Sequence, residues 1–303
     1  MNLIDIPIPL TVPAKMRDIF CQNYNKATLN SGRMFLFAGD QKVEHLNKDF
    51  YGDGIALDDA SPHHLFNIAN KARIGAFATN LGLIARYAAD HKNIRYIVKL
   101  NGKTDLVLPK YADPLSKCWY SVGQIVSFKA STSVDIVGIG ITVYLGSEYE
   151  SEMLAKAAEV IYDAHQNGLL TTVWMYPRGK SVSEEKDADI IAGAAGVAAC
   201  LGADFVKVNP PEASNGLQSA TLLKQATLAA GNTRIVCSGG KKVDEMQMIE
   251  DIHHQIHVGG AAGIAIGRNI HQRSLVDAIK FCEALAALVF DGADIEKAQQ
   301  LLR

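Results

Sequence analysis

The stretch Asp135-Ile136-Val137-Gly138-Ile139-Gly140-Ile141-Thr142-Val143-Tyr144-Leu145-Gly146 alternates branched apolar residues with small or polar ones. In a strand, neighbouring side chains point to opposite faces. Val137, Ile139, Ile141 and Val143 are therefore expected on one face, and Gly138, Gly140, Thr142 and Tyr144 on the other. Such a strand suits a barrel wall, with bulk directed at surrounding helices and small residues at the crowded axis. From here on, strand starts recur at 135, 169, 203, 234 and 263, every 29 to 34 residues. That is the length of one βα unit, and repeated units of this kind close into a (β/α)8 barrel of roughly 250 residues.

Eight strand-like segments are predicted in all, at 34–40, 76–82, 96–102, 136–146, 169–177, 204–209, 234–239 and 263–267. Helical patterns separate them, as parallel strands require. The clearest spans 148–166, where Met153, Leu154, Ala157, Val160, Ile161 and Ala164 form one apolar stripe and Asn167-Gly168 makes a C-cap. The next carries Ile190, Ile191, Ala194, Val197, Ala198 and Leu201, with Ser181 and Glu184 expected as a capping box and Gly202 as its terminator. Residues 1–33 read as an irregular lead-in with one short helix at 13–24, 34–290 as an α/β single-domain barrel, and 291–303 as a C-terminal helical tail. An open doubly wound sheet is the competing architecture. No Gly-x-Gly-x-x-Gly follows the first strand and no linker divides the chain, which disfavours it.

Composition narrows the function. Apolar residues make up 48% and charged residues 20%, and the formal net charge of −2 offers no attraction to nucleic acid or to an anionic membrane. Cys21, Cys118, Cys200, Cys237 and Cys282 are odd in number and form no Cys-x-x-Cys pair, so a reduced cytoplasmic setting without disulfide framework or thiolate metal site is expected. Asp5, Pro7, Pro9 and Pro13 interrupt the apolar N-terminus, which reads as neither a signal peptide nor a membrane span.

Barrels of this type place their chemistry where strands end. The sixth segment, Asp204-Phe205-Val206-Lys207-Val208-Asn209-Pro210-Pro211, sets a lysine in an apolar strand on the face shared by Phe205 and Asn209. Desolvation lowers an amine's pKa towards neutrality, and the neutral amine is a nucleophile. A lysine stem lying along the sheet with its head snorkelling to water is the plainer alternative. Other polar residues fall at neighbouring strand ends: Asp40 after the first, Lys99 and Asn101 on the third, Trp174, Tyr176 and Arg178 on the fifth. The last two strands end in Ser238-Gly239-Gly240-Lys241 and Gly267-Arg268-Asn269, small residues exposing backbone N–H groups beside a cation, as a phosphate cradle needs. His253, His254 and His257 have metal-ligand spacing on an outer helix but read as solvated.

These motifs, in this order, resemble the archaeal-type class I fructose-1,6-bisphosphate aldolases over residues 35–274: Asp40-Gln-x-x-Glu44-His45, Val-Lys99-Leu-Asn-Gly-Lys, Tyr144-Leu-Gly-Ser, Trp174-Met-Tyr176-Pro-Arg178-Gly, Val-Lys207-Val-Asn-Pro-Pro, Ser238-Gly-Gly and Ile-Gly267-Arg268-Asn. The resemblance implies a Schiff-base lysine at Lys207, an acid/base tyrosine at Tyr176 beside Trp174, a polar carboxylate at Asp40 and a phosphate on the last two loops. It also implies a small sugar phosphate substrate, a homo-oligomer, and neither cofactor nor metal. Lys99 is expected to help keep Lys207 neutral, and Arg178 or Lys42 to meet a second phosphate. Two departures stand out: Lys42 replaces a glycine common in the first motif, and Lys241 replaces a proline common after Ser-Gly-Gly. A coenzyme A-dependent thiolase acting on a phosphorylated diketone and a non-catalytic phosphate-binding barrel remain as alternatives.

Overall fold

The computed structural model describes residues 6–108, 110–240 and 243–303. Eight parallel strands close into one barrel: β1 (Met34–Ala38), β2 (Ala76–Asn80), β3 (Arg95–Lys99), β4 (Asp135–Leu145), β5 (Leu170–Pro177), β6 (Phe205–Val208), β7 (Arg234–Ser238) and β8 (Gly263–Ile266). Each pairs with its successor, and β8 returns to β1 with Gly263 opposite Met34. The expected (β/α)8 barrel is the observed fold. A short antiparallel pair, Asn101–Gly102 with Lys117–Cys118, stands off the third unit.

Alternation along the strands divides the apolar residues into two layers. Phe35, Phe37, Ile139, Ile141, Val143, Val206 and Val208 pack outward against the helices. Leu36, Ala78, Ile97, Phe205 and Val236 fill the barrel interior. Val137 was expected on the helix side and lies in the interior. Tyr96 pairs with Ile136 but Ile97 with Gly138, so β4 carries one extra residue there. This bulge reverses the facing of everything before it, and beyond it the expected alternation holds.

Local signals set the element ends. The helix Ala188–Leu201 starts later than the Ser181/Glu184 box suggested, because the Asp187 carboxylate accepts from the N–H groups of Asp189 and Ile190 and caps it there. Gly202, at φ 86°, terminates it as expected. The helix expected from 148 is Glu150–Gln166. The strand expected to reach 82 gives way at Leu81 to a helix, Leu81–Tyr87.

In the lead-in the helix is Arg17–Thr28, displaced along the chain from 13–24, with a single 3-10 turn, Ala14–Met16, before it. It buries Phe20, Tyr24 and Ala27, and Tyr24 stacks on Phe205 with centroids 5.7 Å apart. The lead-in thus covers the floor of the barrel, opposite the mouth towards which β6 directs Lys207.

Candidate active site

A cleft opens at the C-terminal ends of the strands. Asp40, Trp174, Tyr176, Arg178, Lys207, Ser238, Gly239, Gly240, Gly267 and Arg268 line it, whereas Lys99 faces an adjoining hollow shared with Asp40, Glu44, Asn101 and Thr142. Asp40 and Glu44 border both spaces.

Trp174 stands between the two lysines. Lys207 Nζ lies 5.4 Å and Lys99 Nζ 5.2 Å from its ring centroid. The ring fits because residue 140 is glycine: a Cβ there would sit 2.5 Å from the indole. Both amines are nearly excluded from solvent, and burial lowers both pKa values. For Lys207 the pKa falls to about 8, with burial the largest cause, Asp40 and Glu44 opposing it, and Lys99 and Arg268 pushing the same way as burial. The expected influence of Lys99 is therefore present but secondary.

Hydrogen bonding separates the amines. Lys99 Nζ donates to Thr142 Oγ1 at 2.6 Å, to the Asn101 carbonyl at 3.1 Å and to Asn101 Oδ1 at 3.2 Å, and lies 3.8 Å from Asp40. All three of its protons are engaged. Lys207 Nζ makes no hydrogen bond to any described residue, and its one close partner is the Trp174 ring. Of the two amines, only that of Lys207 lacks a hydrogen-bond partner among the described residues.

On the next strand Tyr176 faces the same cavity. Burial, and then the Glu44 and Asp40 charges, raise its pKa, so the phenol carries its proton at rest. Glu44 accepts a 2.6 Å hydrogen bond from Tyr144 and lies 3.8 Å from Arg178. Arg178 also donates to Glu185 at 3.2 Å and extends over the Tyr176 ring.

Across the mouth, Ser238, Gly239, Gly240, Gly267 and Arg268 form a polar shelf. A side chain at Gly267 would meet Gln41 Nε2 at 2.1 Å and the Ala38 carbonyl at 2.6 Å, so only glycine lets the first and eighth loops approach this closely. Ser238 Oγ donates to Asn209 Oδ1 at 2.6 Å. Lys241 lies outside the described residues. Lys42 is turned away from the mouth, donating to the Ala60 carbonyl and resting on the Phe50 ring, whereas Arg178 lines the cleft.

His253 and His257 lie with tilted rings, centroids 4.4 Å apart, on the outer helix Glu245–His257. Among the described residues no group of three or more His, Cys, Asp or Glu side chains is arranged to hold a metal ion. Four residues join the site to which the sequence reading gave no role: Glu44, Asn101, Thr142 and Asn209. Glu44 had a signal, since four residues separate it from Asp40 and one helical turn brings both to the mouth. Asn101 and Thr142 had only strand parity.

The family model described as DeoC/LacD family aldolase matches residues 34–273. A Methanocaldococcus jannaschii protein named fructose-bisphosphate aldolase/6-deoxy-5-ketofructose 1-phosphate synthase is 51% identical over 297 residues, covering 98% of this chain and 94% of its own. The structure of a fructose-bisphosphate aldolase from Slackia heliotrinireducens superposes with TM-score 0.97 at 47% identity, covering 100% of this chain and 95% of that one. An archaeal fructose-1,6-bisphosphate aldolase, with its catalytic Lys covalently bound to the carbinolamine intermediate, superposes with TM-score 0.77 at 30% identity over 89% of this chain and 99% of its own. The chain belongs to the DeoC/LacD aldolase family, in the branch that holds the archaeal-type class I fructose-bisphosphate aldolases.

Proposed function

We propose that this enzyme cleaves and forms the C3–C4 bond of fructose 1,6-bisphosphate through a Schiff base on Lys207. The observation that carries the reading is the pair of buried lysines of which only Lys207 has an unengaged amine facing the cavity. Lys207 attacks the C2 carbonyl, and loss of water from the carbinolamine gives the protonated imine. As the C4 hydroxyl loses its proton, C4 becomes an aldehyde and the C3–C4 electron pair moves into the C2 iminium, forming an enamine. Protonation at C3 and hydrolysis then release dihydroxyacetone phosphate and the free amine. The iminium takes the electron pair that a metal-bound ketone would otherwise accept, so the route uses neither metal nor cofactor.

Tyr176 is the proton carrier. In condensation its O–H protonates the incoming aldehyde oxygen; in cleavage the C4 proton moves to the tyrosine oxygen as the phenolic proton passes towards Asp40 or Glu44. Gly239, Gly240, Gly267 and Arg268 hold the C1 phosphate, and Ser238 borders them; together they set C2 over the amine. Arg178 meets the other phosphate. We also read the enzyme as a cytoplasmic homo-oligomer, a setting supported by its five free thiols.

The enamine is indifferent to which aldehyde arrives next, and the double name of the Methanocaldococcus relative favours asking whether a second aldehyde is also accepted. The test is to incubate the protein with dihydroxyacetone phosphate and borohydride and map the adduct. A reduced adduct on Lys207, with turnover unaffected by coenzyme A, is expected. An adduct mapped to Lys99 would reject the assignment, and a coenzyme A requirement would return the thiolase reading.

A further inference from the structure

The first and eighth loops meet at a buried carboxylate that the reaction scheme does not use. Asp49 follows the motif helix Gln41–Glu44 and is 9% exposed. Its Oδ2 serves two partners, His45 Nδ1 at 2.5 Å and Arg268 Nη1 at 3.6 Å. Its backbone carbonyl accepts from Gln272 Nε2 at 2.9 Å, on the loop that carries Arg268. The next residue, Phe50, stacks on His271 of the short helix Arg268–His271, with centroids 4.6 Å apart and planes within 5°. His271 in turn pairs with the fully buried Asp59 at 2.6 Å.

A guanidinium on a flexible stem recognises phosphate best when its fork is already aimed. The backbone beneath Asp49 is locked, so its carboxylate can fix the Nη1 side of Arg268 while the remaining donors face the glycine shelf. Burial works against the Asp49 charge, but the His45 hydrogen bond and the charges of His45, Arg268 and His271 hold its pKa below the usual value. The carboxylate is thus ionised where it meets the arginine.

We infer that Asp49 is a positioning residue for phosphate recognition: it aims Arg268 at the shelf and so makes the enzyme favour phosphorylated over unphosphorylated ketone donors. The inference rests on the proposed aldolase reading and adds a discriminating residue to it.

The experiment compares borohydride trapping of dihydroxyacetone phosphate with that of dihydroxyacetone, together with competitive inhibition by inorganic phosphate. Asp49→Asn keeps shape and removes charge. It should cut the preference for the phosphorylated donor by about tenfold and weaken inorganic phosphate inhibition similarly, while trapping of dihydroxyacetone stays unchanged. Asp49→Glu, which retains the carboxylate, should lose less than about threefold. Because Asp49 is held to act through Arg268, Asp49→Asn should add nothing in an Arg268→Ala background.

Equal losses for both donors, an unchanged preference, tighter phosphate inhibition, or additive effects in the double variant would each overturn the inference. If Asp49→Asn does not fold, Asp49→Ser, alone and in the Arg268→Ala background, carries the same charge-removal comparison. Failure of the parent to trap either donor on Lys207 would instead reject the aldolase reading itself, so the two failures are distinguishable.

Discussion

Lys99 and Lys207 project from β3 and β6 towards the same indole, at 3% and 5% exposure, yet their surroundings prepare them for different work. The β3–β4 side surrounds its lysine with oxygen: Thr142, both oxygens of Asn101, and Asp40. The β5–β6 side gives its lysine an aromatic face and an open cavity. Burial depresses both amines, so burial alone does not select the nucleophile. The difference lies in whether the lone pair, once bared, has anywhere to point. On the proposed reading, an amine whose protons are all donated is a structural cation, and one without a hydrogen-bond partner among the described residues, beside a cleft, is a reagent.

The largest effect expected from breaking this contrast is on the reagent side. Lys207→Met keeps an unbranched apolar side chain of similar length, so the barrel should fold, as circular dichroism and thermal unfolding can check. Turnover should fall below detection and no borohydride adduct should form. Appreciable cleavage by this variant would remove Lys207 from the nucleophile's role and bring Lys99 forward.

The second effect separates imine formation from bond cleavage. Tyr176→Phe removes a proton carrier and leaves the amine intact, so turnover should drop by about 10²–10⁴ while the trapped adduct still forms on Lys207. Loss of the adduct in parallel with turnover would mean that Tyr176 acts in dehydration of the carbinolamine and not only at C4.

What could be read from the sequence divides along similar lines. The barrel was legible because strand starts recur at one βα length and because a strand's facing follows simple parity. Lys207 stood out because a cation in a β-branched run needs an explanation. Parity failed at Val137, where one inserted residue in β4 turned the side chain inward, and no local composition marks such a slip. The Ser181/Glu184 box failed because a better cap, Asp187, stood six residues beyond Ser181 and nearer the apolar stripe. The oxygens around Lys99 were less visible still: Thr142 is 43 residues away in sequence, and only the pairing of β3 with β4 brings it within 2.6 Å. Partners within a motif could be read; partners across the barrel required the register. Asp49 belongs to the second kind, since Arg268 reaches it only when the first and last strands meet.

The smallest expected effect is on the structural cation, and its sign distinguishes support from catalysis. Lys99→Met leaves Thr142 Oγ1 and the Asn101 carbonyl without a donor, while Asn101 Oδ1 keeps the Thr142 N–H at 2.7 Å, so the stability loss should be only about 1–3 kcal/mol. Activity should survive with the adduct still on Lys207. Its pH dependence should move in a defined direction. Lys99 is one of the charges that disfavour a proton on Lys207, and it also pairs with Asp40, whose charge favours one. Removing Lys99 relieves the first effect and unmasks the second, so both raise the Lys207 pKa above about 8. Imine formation, which needs the neutral amine, should then rise at higher pH than in the parent, with the profile displaced by less than about one unit. Measuring the trapping rate from pH 6 to 10 checks this. A displacement towards lower pH, or a loss of trapping at every pH despite a folded barrel, would show that Lys99 takes part in the chemistry and that the contrast between the two walls is drawn in the wrong place.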